Sequence, residues 1–225
     1  MSADTRSHQA AGRTVPARRR PVQQRSQERY ERILDACAGL LDEAGATALT
    51  TKEVAHRAQV PIGTLYQFFS GKEDLLAALA HRNLDHYLQR LDRRLSAGAP
   101  AGPAGFTDLA VDEFVAMKRD VPGFGQVDFG LAGTSGPTGF RGDRHLLDTD
   151  LDNNAAVALR LQALGGEVFA AADPVALTIG LRVALEAADA VLNLAFRSDP
   201  DGDPVLIAEC KRLVRCYLAE QLGHD

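Results

Sequence analysis

Residues Val60–Lys72, VPIGTLYQFFSGK, place small, hydroxyl, aromatic and amide side chains on one short helix. Such a helix has little bulk and many hydrogen-bonding tips, which suits a surface that lies against DNA. Just upstream, residues 50–58 read TTKEVAHRA, and Thr50 and Glu53 have the three-residue spacing of a capping box, so a second short helix begins there. The Gln59-Val60-Pro61 turn breaks the run, because proline cannot occupy a helix interior. Two short helices and a tight turn give the helix-turn-helix pattern.

Working outward, Ile33, Ala36, Cys37, Leu40, Leu41 and Ala44 recur at intervals of three and four between Arg25 and Gly45. That periodicity predicts the first helix of a three-helix head, ended by its glycine. Ser70 and Glu73 are spaced as another capping box and predict a long helix over 72–95, with Leu75, Leu76, Leu79, Tyr87, Leu88, Leu91 and Leu95. The expected layout is a disordered basic arm over 1–24, a head over 25–72 and a ligand-binding and dimerisation domain over 73–225, linked by that helix. The fold class is all-α.

After Ser96 the stretch AGAPAGPAG reads as a linker. A helix is expected over Thr107–Arg119, with Leu109, Val111, Phe114, Val115 and Met117, stopped by VPGFGQ. Residues 130–145 are glycine-rich and carry no prediction. Asp173-Pro174 and Asp203-Pro204 each set an N-cap acid before a proline at the first helical position, which predicts helices over 174–196 and 204–222. Both are more apolar than a solvent-facing helix requires. The surplus face predicts a homodimer through helices 174–196 and 204–222, in a symmetric four-helix contact; the competing reading is a monomer that buries both helices centrally.

The 225 residues, 45% of them hydrophobic, are enough for a sizeable core. No apolar run reaches the roughly 20 residues needed to cross a bilayer, and the arginine-rich N-terminus has no apolar signal core, so a cytoplasmic, nucleoid-associated protein without membrane contact is expected. Residues 1–32 hold eight arginines against Asp4, Glu28 and Glu31, a net +5, while the rest of the chain carries −10. A basic arm thus adjoins an acidic body, and its Arg18-Arg19-Arg20 cluster is suited to phosphates or a minor groove, although a solubilising tail has the same composition.

Catalytic and metal patterns fail. Cys37, Cys210 and Cys216 form neither CxxC nor a Cys/His cluster. Asp148, Asp150 and Asp152 alternate like the start of a calcium loop, but Asn153 stands where the turn glycine belongs and Leu159 where the bidentate glutamate belongs; a solvated helix start is expected there instead. Gly123-Phe124-Gly125 lacks the third glycine of a dinucleotide fingerprint, and His56, His81, His86 and His145 show no metal-ligand spacing. Neither an enzyme nor a bound cofactor or metal is expected.

The run Thr51, Val54-Ala55, Ala58, Val60, Gly63-Thr64-Leu65-Tyr66, Phe69 and Lys72 to Leu75 resembles the TetR family of transcriptional repressors. The resemblance spans Ala36–Leu75, a little under a fifth of the chain. It implies an all-helical dimer whose N-terminal head binds an inverted-repeat operator in double-stranded DNA and whose divergent C-terminal domain takes a small effector. By that resemblance Thr51, Thr64 and Tyr66 approach phosphates, Lys52 a phosphate or base edge, and Lys72 the DNA backbone. Ile62, Gly63 and Gln67 take the positions nearest the bases; the Gln67 amide can pair with adenine N6 and N7. Leu65 and Phe69 are expected to pack the head. The chain departs from the pattern at Gln59, where many members have glycine, at Pro61, where a capping serine is common, and at Phe68, where histidine is frequent.

In the second domain, Phe114, Met117, Phe124, Phe129 and Phe196, with Asp189 and Asn193 as polar anchors, are candidates for the lining of an apolar effector pocket; ordinary core packing is the competing reading of the aromatics. An apolar or amphipathic effector is expected. An activator, or a regulator that answers to a protein partner, would have the same sequence features.

Overall fold

The computed structural model describes residues 19–98, 100–129, 147 and 152–223, and among them every regular element is a helix. In chain order these are α1 (Arg19–Ala48), α2 (Thr51–Arg57), α3 (Ile62–Phe68), α4 (Lys72–Ala97), α5 (Gly102–Asp120), α6 (Asn153–Leu164), α7 (Pro174–Ser198) and α8 (Pro204–Leu222). The all-α expectation is met.

Three local expectations need correction. Helix α1 begins at Arg19, six residues before Arg25, so the end of the supposed disordered arm 1–24 is helical. Pro21 sits in the first turn, where its missing N–H costs no bond. Side-chain bonds from Gln24 to Glu28 (3.2 Å) and from Gln27 to Glu31 (2.7 Å) support the following turns. Helix α5 likewise starts at Gly102 rather than Thr107, because Pro103 in the AGAPAGPAG stretch is a first-turn residue. The cap of α4 is also not the expected Ser70–Glu73 box. Gly71 is the N-cap, and the carboxylate of Asp74 accepts from the Ser70 N–H at 2.8 Å and lies 3.2 Å from its hydroxyl.

The other stop and start signals act as expected. Gly45 adopts φ 74°, breaking the regular run of α1. Thr50 caps α2, its Oγ accepting from the Glu53 N–H at 3.2 Å; the Glu53 carboxylate returns to the Thr50 hydroxyl at 2.9 Å. Asp173 and Asp203 each accept from two first-turn N–H groups of α7 and α8. Asp152, from the acidic run, caps α6 by accepting from Ala155 N–H at 2.8 Å; Asp148 and Asp150 lie outside the described residues.

Helices α1–α3 pack around Ile33, Leu34, Leu41, Val54, Leu65 and Phe69, and α4 runs from that head into the second domain through Leu75, Leu79 and Leu91. In the second domain α8 packs against α7 and α5, and α6 against α7 and α4. Ion pairs Lys211–Asp112 (2.5 Å) and Arg215–Asp108 (2.9 Å) join α8 to α5, and Arg90–Glu113 (2.7 Å) joins α4 to α5. Among the described residues, no helix is long and apolar enough to cross a membrane.

Candidate nucleic-acid interface

The outer surface of the head is formed by α3 and the start of α2. Leu65 is fully buried and Phe69 nearly so, and these two hold α3 against the head as expected. With that face fixed, Lys52, Ile62, Gly63, Tyr66 and Gln67 all point to solvent, Tyr66 with 53% and Ile62 with 42% of its surface exposed. Thr51 and Thr64 are half-buried at the edges of this strip.

Each element of the strip is positioned by a specific contact. The turn between the helices closes through Val60 N–H to Ala55 carbonyl at 3.0 Å, with Gln59 at φ 55°. That left-handed backbone is why glycine is common at this position in the family pattern. Pro61 is the N-cap of α3 and makes no side-chain cap bond; its carbonyl accepts from Thr64 N–H at 2.8 Å. Phe68 turns inward, edge-on to Tyr30 at 6.0 Å, while Phe69 stacks on the same ring at 5.2 Å. Behind α2, Arg57 pairs with both carboxylate oxygens of Glu43 at 2.5 and 2.6 Å, and that hydrogen bond holds the Glu43 carboxyl below its ordinary pKa.

Lys72 stands at the first position of α4, and its ammonium donates to the Ala46 carbonyl at 2.6 Å, tying α4 to the end of α1. An ammonium has three donors, so two remain for another partner. Arg19 and Arg20 open α1; Arg18 lies outside the described residues.

The second-domain candidates fall into two groups. Phe114, Phe124 and Phe129 form a three-ring cluster with centroids 5.4–5.7 Å apart, and Tyr87 of α4 packs on Phe129 at 5.0 Å. Met117 and Phe124 are fully buried. Asp189 and Asn193 bond to each other at 2.9 Å along α7, and Phe196 lies farther along the same helix. Desolvation first, then the neighbouring Asp128 charge, raises the Asp189 pKa.

Between these groups lies a side chain that the sequence reading passed over. The ammonium of Lys118, almost fully buried, stands 5.4 Å from the Phe114 centroid, 5.5 Å from that of Phe196 and 3.7 Å from the Asp128 carboxylate. It reads in sequence as a basic last-turn residue of α5, with no signal of burial. Asn83 of α4 is a second such side chain: buried beside Leu79 and Leu84, its amide donates to the Val127 carbonyl at 2.6 Å.

A helix-turn-helix head whose recognition helix shows its polar face to solvent, joined by one continuous helix to a helical second domain, defines a DNA-binding transcription regulator. The family model described as bacterial regulatory proteins, tetR family, matches residues 33–79, and the one described as tetracyclin repressor-like, C-terminal domain, matches residues 101–222. The chain therefore belongs to the TetR family, whose members are DNA-binding regulators rather than enzymes. It is similar to a solved TetR-family transcriptional regulator from Streptomyces coelicolor, with 41% identity, TM-score 0.73, and coverage of 86% of this chain and 99% of that one. It is 39% identical over 72 residues to the transcriptional repressor KstR of Mycobacterium tuberculosis, 32% of this chain and 33% of that protein. The chain thus spans about a third of the length of that curated relative. The regulator FadR of Bacillus subtilis, solved in complex with stearoyl-CoA, shares the fold at TM-score 0.56 and 18% identity, over 87% of this chain and 99% of that one.

Proposed function

We propose that the chain is a homodimeric repressor that reads an inverted-repeat operator with α3 of each copy and is released by a small apolar or amphipathic effector. The observation that carries this reading is the outward strip of Ile62, Gly63, Tyr66 and Gln67, exposed on a helix, α3, whose other face is locked into the head, with Lys52 of α2 exposed as well. In this reading Thr51, Thr64, Tyr66 and Lys72 hold phosphates, Lys52 a phosphate or base edge, and Gln67 pairs with adenine. The Arg18-Arg19-Arg20 cluster adds phosphate or minor-groove contacts.

The dimer forms through α7 and α8. Val175, Ile179 and Val183 lie four residues apart on α7 and remain exposed, Val175 with 69% of its surface; Leu194 of α7 and Val205 and Leu213 of α8 are exposed too. Two copies would set their α3 helices about 34–36 Å apart in successive major grooves. The effector is received by Phe114, Phe129 and Phe196 with Asp189 and Asn193 as polar contacts, while Met117 and Phe124 support the site from behind. Whatever factor by which the effector weakens DNA binding, DNA weakens effector binding equally.

The test is selection of genomic fragments by the purified protein, followed by affinity measurements at several salt concentrations. Binding should favour the selected sites over random DNA and fall steeply with salt as condensed counterions are released. Equal affinity for random DNA at physiological salt would sink the proposal.

A further inference from the structure

Helix α4 is not the only connection between the two domains. After α5 the chain turns through residues 121–129, and Gly123 at the tip of that turn sits on α1 of the head. Its N–H donates to the Asp42 carboxylate at 3.2 Å. Its φ is 72°, and a Cβ built there would meet the Ala38 carbonyl oxygen at 2.6 Å and Ala38 Cα at 2.9 Å. Glycine is therefore required twice, for its backbone conformation and for the close approach. Gln126 reaches towards Gly45 from the same turn.

The opposite side of the turn is fixed to the second domain. Phe124 and Val127 are fully buried, Phe124 and Phe129 are two of the three clustered rings, Asn83 holds the Val127 carbonyl, and Asp128 faces the buried Lys118 ammonium. Nine residues thus carry the aromatic cluster on one side and a backbone-to-backbone seat on α1 on the other. Packed elements of this kind shift as units rather than deforming smoothly.

We propose that the 121–129 turn is a second, direct link from the effector domain to the head, with Gly123 and Asp42 as the residues that set the head's angle. The angle fixes how far apart the two recognition helices stand, so this link decides which operator spacing the dimer accepts. Rearrangement of the ring cluster then reaches α1 without passing along α4. The inference rests on the dimeric operator-binding reading above.

The test uses the full chain and operators whose half-sites are moved by one base pair inward or outward. Asp42→Ala removes the acceptor for Gly123; Asp42→Asn removes the same charge but keeps an acceptor oxygen. The alanine variant should change the affinity for the best operator by about fivefold or more and alter the spacing preference, whereas the asparagine variant should keep the wild-type profile. Both should unfold at close to the wild-type temperature, since Asp42 is exposed. Gly123→Ala should act like Asp42→Ala, more strongly; if it does not fold, the Asp42 pair still decides. An Asp42→Ala profile that matches wild type, or Ala and Asn variants that change alike, would overturn the proposal. Failure of the wild-type protein to prefer any operator would instead sink the DNA-binding reading itself.

Discussion

The hydroxyls of Thr51 and Tyr66 stand 3.2 Å apart, joining the first turn of α2 to the exposed face of α3. Fifteen residues separate them in sequence, and either can donate to the other. Whichever hydroxyl accepts keeps its own O–H free to donate to a phosphate oxygen, so the pair forms a small polar seat at the rim of the recognition strip.

That seat should position without discriminating. Tyr66→Phe is expected to weaken binding to all DNA sequences by a similar factor, because phosphates carry no sequence information. Gln67→Ala should instead cost about 1–3 kcal/mol, mainly at one base position. Binding to a set of single-base operator variants separates the two, and a Gln67→Ala variant with unchanged specificity would remove the readout assignment.

Gly63 gives a second separation, between folding and binding. A Cβ added there meets nothing within 4 Å, and its backbone is helical, so the fold places no demand on glycine at this position. Gly63→Ala should raise stability by up to about 1 kcal/mol through helix propensity. The added methyl should nevertheless lower operator affinity, if this surface is where DNA backbone and bases approach. Thermal unfolding and operator titration together check it; unchanged affinity would show that DNA does not come close to Gly63.

At Gln59 the strain is in the head itself. A non-glycine residue at φ 55° costs roughly 1–2 kcal/mol, partly offset in a glycine variant by the greater freedom of its unfolded chain. Gln59→Gly should therefore stabilise by a fraction of that amount, read as a raised denaturation midpoint at constant slope.

The head was largely legible because its signals are local. The Thr50 cap, the Pro61 break, the Gly45 stop and the acid-proline starts of α7 and α8 each act within a few residues, and each appears where expected. The errors at Pro21, Pro103 and Ser70 share one cause: a proline or glycine that reads as a breaker is equally at home in the first turn or at the cap. Lys118, Asn83 and Gly123 were missed or under-read because their meaning comes from partners 10 to 85 positions away, Asp128, Val127 and Ala38. No window of sequence contains that information.

The exposed stripe of α7 tests the assembly. Ile179 is central to Val175, Ile179 and Val183, and 56% of its surface is open in a single copy. Ile179→Asp leaves the buried face of α7 untouched, so the helix should still fold, but a paired copy would have to bury an unmatched carboxylate. Sedimentation should show the wild type as a dimer and the variant as a monomer at the same concentration, with operator affinity reduced. A variant that stays dimeric would move the interface elsewhere.

The buried thiols set an alkaline limit on the fold. Burial pushes Cys37 up to about 12 and Cys210 up to about 11, whereas an unfolded cysteine ionises near about 8.5. A group whose folded pKa is raised contributes fully below its unfolded value, and the contribution is lost as pH climbs towards the folded one. Each buried cysteine should thus lower the unfolding free energy by up to about 1.4 kcal/mol per pH unit between roughly pH 9 and its folded value. Cys37→Ala loses packing at every pH but should show a shallower decline over that window. Chemical denaturation from pH 7.5 to 10.5 gives the comparison, and parallel declines would mean that the Cys37 thiol ionises in the folded chain as readily as in the unfolded one.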